Sequence, residues 1–341
     1  MRIGRNLLVL SLLGIALFCL LEILIQTEVL DDYTLQIVCF AGINIIVALS
    51  LNLISGFTGQ LALGHAGFLA VGAYSCGILL LAHVPLPLAI LGGAVITAAL
   101  GFLIGFPALR LRGDYLAIVT LAVGEIIRVV IINLNDLTGG SAGLRNIPGY
   151  SDNILVNNQG AFLWIFPAVL LSVAMVSNLI RSSQGRALIS IRDDEIASQA
   201  MGVNVFGMKL MSFTVSAFLA GLAGALYAPF IGYLSPNGFD FLRSVFFVII
   251  VVLGGMGSLT GTVVAGVGLT FVQEWLRANA KDWSQGVAGL FGGADGGVID
   301  LVPMSQVLFG LLLVLLMIFR PQGLFGTREI KLSNLFRRSK K

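Results

Sequence analysis

Charged residues are scarce in this chain. Only 11% of its 341 residues are Asp, Glu, Lys or Arg, whereas 57% are hydrophobic, and the mean hydropathy is +0.98. Soluble domains carry roughly 25% charged residues. The composition therefore excludes an ordinary soluble protein. It predicts an all-α polytopic membrane protein whose residues 1–341 form a single domain within the lipid bilayer.

Residues that build metal and disulfide sites are also few. The three cysteines, Cys19, Cys39 and Cys76, lie inside apolar runs without metal-ligand spacing, and there are only two histidines. An odd number of cysteines in such positions argues against a disulfide framework. We therefore expect no metal and no cofactor, and nothing in the sequence points to nucleic acid as a partner.

Two enzyme motifs bear on the function of the chain. None of the five lysines directly follows a glycine, so the chain has no phosphate-binding P-loop, and any ATP hydrolysis belongs to another polypeptide. The run Gly139–Gly143 matches the G-x-S-x-G pattern of hydrolases, but it follows an apolar span and has no histidine beside it. Chance explains this match better, which leaves a membrane hydrolase using Ser141 as a distant alternative. The chain is not expected to be an enzyme.

Long apolar runs fill most of the sequence. At about 20 residues per crossing, they predict about ten spans, near residues 7–25, 34–55, 60–83, 86–109, 115–133, 161–180, 209–233, 243–256, 261–277 and 303–319. The eighth span is short, and the glycine-rich run Gly254–Gly261 separates it from the ninth. The alternative is eight or nine full crossings plus broken or re-entrant segments.

The distribution of basic residues predicts the orientation. With a cytoplasmic N-terminus, fifteen of the 20 lysines and arginines fall on the inner side and four on the outer side. By the positive-inside rule, both ends are cytoplasmic. Residues 181–209 then form a cytoplasmic loop and 327–341 a basic cytoplasmic tail, whereas 134–160 and 278–302 form external loops.

The loop at 181–209 contains the pattern of a short helix. Asp193 or Asp194 can accept hydrogen bonds from the first turn, and Gly202 suits the left-handed position after the last turn. An apolar face is predicted for Ile196, Ala197, Ala200 and Met201. A helix of two turns is unstable alone, so we expect it to dock against something.

Glu125 and Arg128 are the most costly residues in the chain. They lie near the middle of the fifth span, where a charge costs about 2.5–3.5 kcal/mol on insertion scales, and their i, i+3 spacing places them on one face. They could belong to a solute pathway or a proton relay. The interpretation we favour is an ion pair within the chain or between subunits.

Residues Asn52–Gly77 combine polar side chains with small ones. Alanines recur every fourth residue at 62, 66 and 70, with Gly64 and Gly67 beside them. Such a segment can pack closely against another helix or open backbone toward a cavity. A second small-residue pattern, which predicts close helix packing, runs through Ser216, Ala217, Ala220, Gly221, Gly224, Ala225 and Ala228. The candidates for a pore or subunit contact are Asn52, Gly56, Gly59, Gln60, His65, Glu125 and Arg128. For His65, a hydrogen-bonded structural role is favoured over a pore contact.

Four stretches resemble the LivM-type permease subunits of bacterial branched-chain amino-acid ABC importers. They are Leu51–Phe68, Gly113–Arg128 with Leu137–Gly140, Gly185–Ala228 and Arg320–Gly326, and the resemblance covers roughly residues 35–326. Related permeases for urea, amides and sugars share much of this pattern.

This resemblance implies an ATP-driven importer subunit in the bacterial inner membrane. It also implies a homologous second permease, two ATP-binding subunits, an external solute-binding protein, and a cytoplasmic loop that docks on the ATPase. The loop residues that would carry this coupling are Arg186, Arg192, Asp193, Asp194, Glu195, Ala197, Ala200 and Gly202. They depart from the family pattern in reading Glu-Ile-Ala rather than Glu-Ala-Ala. A urea or short-amide permease, and a stand-alone proton-coupled transporter using Glu125, are the alternatives.

Overall fold

The computed structural model describes residues 31–111, 113–151 and 154–290, together with 310 and 314. The predicted span 7–25, the tail 327–341, part of the loop 278–302 and all of the span 303–319 except residues 310 and 314 lie outside these residues. The described ranges are almost entirely helical, and their α-helices are α1 Asp32–Asn52, α2 His65–Leu81, α3 Leu86–Ala108, α4 Asp114–Asn133, α5 Asn135–Thr138, α6 Ile154–Arg181, α7 Ser183–Asp193, α8 Glu195–Ala200, α9 Val205–Ile231, α10 Phe241–Gly254 and α11 Leu259–Leu290.

Each of the eight predicted spans from 34–55 to 261–277 overlaps one of these helices. Six helices in the described ranges are long and apolar enough to cross a membrane, which establishes an all-α polytopic membrane protein. Helices α2 and α10, with 17 and 14 residues, extend only about 26 and 21 Å, less than the roughly 30 Å of the hydrocarbon core.

Two helix interruptions explain why these helices are short. The prediction of a continuous span at 60–83 was wrong at its start. The π-helix Leu53–Phe57 continues α1, and α2 begins only at His65. Gly59 has φ +73°, a conformation that favours glycine and ends regular helix. The predicted interruption between the eighth and ninth spans is confirmed, because α10 ends at Gly254, and Gly255 and Gly257 also have positive φ.

The centre of the molecule is built around α9, which packs against α2 and α3 through small residues. A Cβ atom added to Gly72 of α2 would lie 2.6 Å from Gly221 Cα of α9, and one added to Gly93 of α3 would lie 2.8 Å from Gly72 O. Backbones therefore touch where side chains would normally separate helices. The close helix packing predicted from the second small-residue pattern is confirmed.

The first small-residue pattern is confirmed in part. Gly67 of α2 packs against α4, since a Cβ there would lie 2.8 Å from Gly124 Cα. Ala66 and Ala70 are buried in α2, but Ala62 precedes the helix and does not share its face. The residues just before α2 are not helical, and the Leu63 N–H donates to Thr120 Oγ1 of α4.

The helices differ strongly in burial. In the most apolar 18-residue window, 83% of residues are buried for α1 with its π-helical extension, but only 22% for α4. On the opposite side from residues 181–209, two connections meet in an isolated antiparallel bridge between Leu144 and Leu234. Tyr74 donates a hydrogen bond from its hydroxyl to the carbonyl of Leu234, 3.0 Å away, which ties this bridge to α2.

Candidate functional site

The short helix α8 forms as the sequence predicts. Of the two candidate caps, Asp194 is used: its Oδ1 accepts hydrogen bonds from the backbone N–H groups of Ile196 and Ala197, both at 2.9 Å. Asp193 instead ends α7. Gly202 has φ +84°, and a Cβ added there would meet no atom within 4 Å, so it terminates the helix in the left-handed conformation.

The apolar face of α8 is turned away from the other described residues. Ile196 is 78% exposed and Met201 is 84% exposed, and both Ala197 and Ala200 are exposed as well. Ser198 is the buried residue of this helix. This face therefore presents two large apolar side chains, Ile196 and Met201, to the surface of the described chain.

Two charged side chains join residues 183–200 to the membrane helices. Glu195 Oε2 accepts from Lys209 Nζ of α9 at 2.7 Å, and the Lys209 side chain is only 8% exposed. Arg192 Nη1 donates to the carbonyl oxygen of Gly56 at 2.9 Å. The other basic residue predicted here, Arg186, donates to the carbonyl of Arg181 at the end of α6.

Asn52 lies behind the Arg192 contact. It is fully buried, and its Oδ1 accepts from the backbone N–H of Gly257 at 2.8 Å. Its Nδ2 donates to the carbonyl of Ser258 at 3.1 Å and to Thr262 Oγ1 at 2.9 Å. One side chain therefore joins the end of α1 to the connection that begins α11. We call these contacts of Asn52, with Gly56 and Gly257, the junction.

His65 and Gln60 are also buried. His65 Nε2 lies 3.0 Å from Ser216 Oγ of α9, and that hydroxyl donates to the carbonyl of Ser50 at 2.7 Å. His65 is thus a hydrogen-bonded residue of the core, the role favoured from the sequence. Among the described residues, His65 Nδ1 and Gln60 Oε1 have no hydrogen-bond partner.

Glu125 and Arg128 form the expected ion pair on α4. Arg128 Nε lies 2.8 Å from Glu125 Oε2, and the Arg128 and Glu125 side chains remain 28% and 34% exposed respectively. Glu125 also lines a shallow recess together with Asp240 and Ser244 at the start of α10. The pair therefore lies at the edge of the chain.

The structure brings the predicted residues together in two places. Arg192, Asn52, Gly56 and Gly59 meet at the junction, whereas Glu125 and Arg128 lie apart on α4. Sequence reasoning missed Lys209 and Gly257. A lysine in the first turns of an otherwise apolar helix is a signal that could have identified Lys209, since a buried ammonium needs a carboxylate.

Comparisons with known proteins agree with one another. A family model described as the branched-chain amino acid transport system permease component matches residues 33–319. The chain is 37% identical over 333 residues to the high-affinity branched-chain amino acid transport system permease protein LivM of Escherichia coli (strain K12), with 88% of this chain and 72% of the relative covered.

Two further relatives are more distant. The chain is 28% identical over 304 residues to the permease protein BraD of Pseudomonas aeruginosa, with 84% of this chain and 92% of that protein covered. It is 21% identical over 306 residues to the permease protein LivH of Escherichia coli (strain K12), with the same two coverages. No solved structure matches the chain.

Proposed function

The chain belongs to the family of permease components of branched-chain amino acid transport systems, and from this premise we propose how it works as a subunit of an ATP-driven ABC importer. The proposed solutes are branched-chain amino acids such as leucine, isoleucine and valine. The observation that carries the mechanism is the exposed apolar face of α8, with Ile196 and Met201, on a capped helix outside the apolar spans.

This face is proposed to dock on an ATP-binding subunit. An amphipathic helix laid into a groove buries its apolar face and is read through side chains at i, i+3, i+4 spacing. The residues that would form or position this contact are Arg186, Arg192 to Glu195, Ala197, Ala200 and Gly202. Two ATP-binding subunits would hydrolyse ATP, and this chain would convert their closure into alternating access of the membrane helices.

A second, homologous permease is proposed to cover α4. This helix is the least buried of the apolar helices together with α6, and it carries the partly exposed ion pair of Glu125 and Arg128. Charges in hydrocarbon are costly, so such a pair must face protein or water. The α4 face would therefore line the pore or the permease–permease interface. The junction residues and His65 would lie behind it, in the interior of the subunit.

The proposed topology has about ten crossings in a bacterial inner membrane, with both ends and residues 181–209 in the cytoplasm. Residues 134–160 and 278–302 would then face outward and receive the external solute-binding protein. The excess of basic residues on the side of α7 and α8 supports this orientation.

Purification of the tagged chain from its native membrane in mild detergent tests the proposal. We expect P-loop ATPases and a second glycine-rich permease to co-purify, and the double variant Ile196→Asp, Met201→Asp to lose the ATPases while retaining the permease. Gln199→Asp, which adds a charge to the same helix outside its apolar face, is the matched control. Uptake in liposomes should need ATP and be competed by leucine.

Three results would contradict the proposal. A chain that purifies alone and takes up solute in response to a proton gradient would make it a stand-alone transporter dependent on Glu125. Competition by urea or short amides, but not by leucine, would change the solute. Retention of the ATPases by the double variant would remove α8 from the contact.

A further inference from the structure

The Arg192 side chain reaches the end of a broken helix. Carbonyl groups in the last turn of a helix lack partners within it and carry the negative end of the helix dipole. The carbonyl of Gly56 is one of these, at the end of the π-helix that extends α1, and the Arg192 guanidinium donates to it at 2.9 Å. Arg192 therefore caps α1 with a positive charge from outside that helix.

Glycines make this approach possible. A Cβ on Gly59, at φ +73°, would lie 2.7 Å from Arg192 Cγ, and one on Gly257, at φ +86°, would lie 3.0 Å from Arg192 Nη1. Any larger residue would push the arginine stem or its guanidinium away. The glycines of this region thus form a slot that admits one long side chain.

The slot lies against the junction. Asn52 links α1 to Gly257, Ser258 and Thr262 through three hydrogen bonds, so a displacement of Gly56 or Gly257 cannot be confined to one helix. Breaking these hydrogen bonds would leave buried polar groups unpaired, which lowers the stability of the fold. The bonds therefore hold the end of α1 against the start of α11.

The second contact leads to other helices. Glu195, the first residue of α8, binds Lys209 at 2.7 Å, and Lys209 lies near the start of α9. Helix α9 is packed backbone to backbone with α2, and its small residues pack closely against α3. In the described part of the chain, Glu195 is the carboxylate that compensates the Lys209 ammonium.

We propose that residues 183–200 drive two groups of helices through these two contacts. Arg192 acts on α1 and α11 at the junction, and Glu195 acts on α9 with α2 and α3 through Lys209. All three are positioning residues for transport. This inference rests on the proposed function, in which α8 receives the movement of an ATP-binding subunit, and it identifies where that movement enters the membrane helices.

The first test is a charge exchange in the complete complex reconstituted in liposomes. The readouts are co-purification of the ATPases, ATP hydrolysis and solute taken up per ATP hydrolysed. Glu195→Lys and Lys209→Glu alone should keep the ATPases bound and lower uptake per ATP within the roughly 5- to 150-fold range of coupling energies. The double exchange should recover most of it.

The same test can overturn this half of the inference. If Glu195→Lys releases the ATPases and the double exchange does not restore them, Glu195 contacts the partner rather than Lys209. If the wild-type chain binds no ATPase at all, the proposed function itself fails. If the complex assembles but transports normally with either single exchange, only the role of the Glu195–Lys209 contact is refuted.

The second test addresses Arg192. Arg192→Gln should leave ATP hydrolysis in place and lower uptake per ATP, and Gly59→Ala should do the same by displacing the arginine. Arg181→Gln, which removes the same charge from an exposed side chain at the end of α6, should transport normally. Should Arg192→Gln not reach the membrane, Arg192→Lys decides, because lysine keeps the charge but loses the planar fork. Normal uptake per ATP in the Arg192 variant that assembles would refute the contact.

Discussion

The centre of the molecule and residues 183–200 are held in opposite ways. At the centre, α9 touches α2 through the backbones of Gly72 and Gly221 and packs against α3 through glycines and small side chains, with no room for a single added carbon at Gly72. Residues 183–200 pack on the core through Leu188 and Ile191 of α7, but the following residues are joined to the membrane helices by the long charged side chains of Arg192 and Glu195. Ile196 and Met201 are left exposed. The centre is thus held by close backbone contact, whereas residues 192–200 are held by charged and polar side chains.

The largest expected effect is at the centre. Gly72→Val places branched carbons against the Gly221 backbone, which cannot move as the end of a flexible side chain can. Overpacking of this kind should cost about 3 kcal/mol or more. Most of the chain should fail to give a monodisperse peak in detergent size exclusion. Gly268→Val, on α11 with no neighbour within 4 Å, is the control and should behave as wild type.

The junction should be intermediate. Asn52→Ala removes the acceptor of the Gly257 N–H, and this unpaired group should cost about 1–3 kcal/mol. The Ser258 carbonyl keeps its hydrogen bonds from Thr262. The midpoint of thermal unfolding in detergent should fall clearly. Asn133→Ala, which loses only an exposed bond to its own helix, should fall little. Equal midpoints for the two variants would show that the junction contributes nothing.

The cap of α8 should have a smaller effect. Asp194→Ala leaves two N–H groups of the first turn without their partner, which should cost about 1 kcal/mol locally. We expect faster hydrogen exchange at residues 195–200, measured by mass spectrometry, with no change in α9. Asp194→Ser, which can still cap, should stay close to wild type. Faster exchange throughout α9 would contradict this prediction, because it would show that loss of the α8 cap also destabilises the central helices.

The smallest effect on stability is expected for Ile196, on the exposed apolar face of α8. Ile196→Ser alters a side chain that is 78% exposed, so the isolated chain should change by no more than about 0.5 kcal/mol. Its thermal midpoint should match wild type, while binding of ATPase subunits weakens. A large drop in the midpoint would show that Ile196 packs within the chain, and the contrast with Gly72 would then be lost.

The helices were predictable because each leaves a strong local signal. Long apolar runs, small residues at every fourth position and the Asp194 to Gly202 pattern all depend on neighbours in sequence. The exception is the start of α2. The apolar run near residues 60–64 contains a helix break that its own composition does not signal. The Leu63 N–H there donates to Thr120 Oγ1, which is distant in sequence, instead of to a carbonyl of its own helix.

The site was predictable in composition but not in arrangement. Asn52, Gly56, Gly59 and Arg192 each stand out in the sequence, yet Asn52 and Arg192 were assigned separate roles, the first at the pore and the second at the coupling loop. Their meeting at Gly257 depends on α11 returning beside α1, more than 200 residues later, as the Asn52 bond shows. The carboxylate and lysine pair of Glu195 and Lys209 depends likewise on how α8 folds back onto α9.

The contact between Gly72 and Gly221 also limits how the protein can move. Turning α9 by one residue about its own axis would bring a side chain to the place where two backbones now meet. Helices α2, α3 and α9 therefore cannot rotate relative to one another. They form a rigid unit that moves as one body. Rearrangement that opens and closes a path is then concentrated between this unit and the ends of α1 and α11, where the side chains of Asn52 and Arg192 make the contacts and can exchange partners.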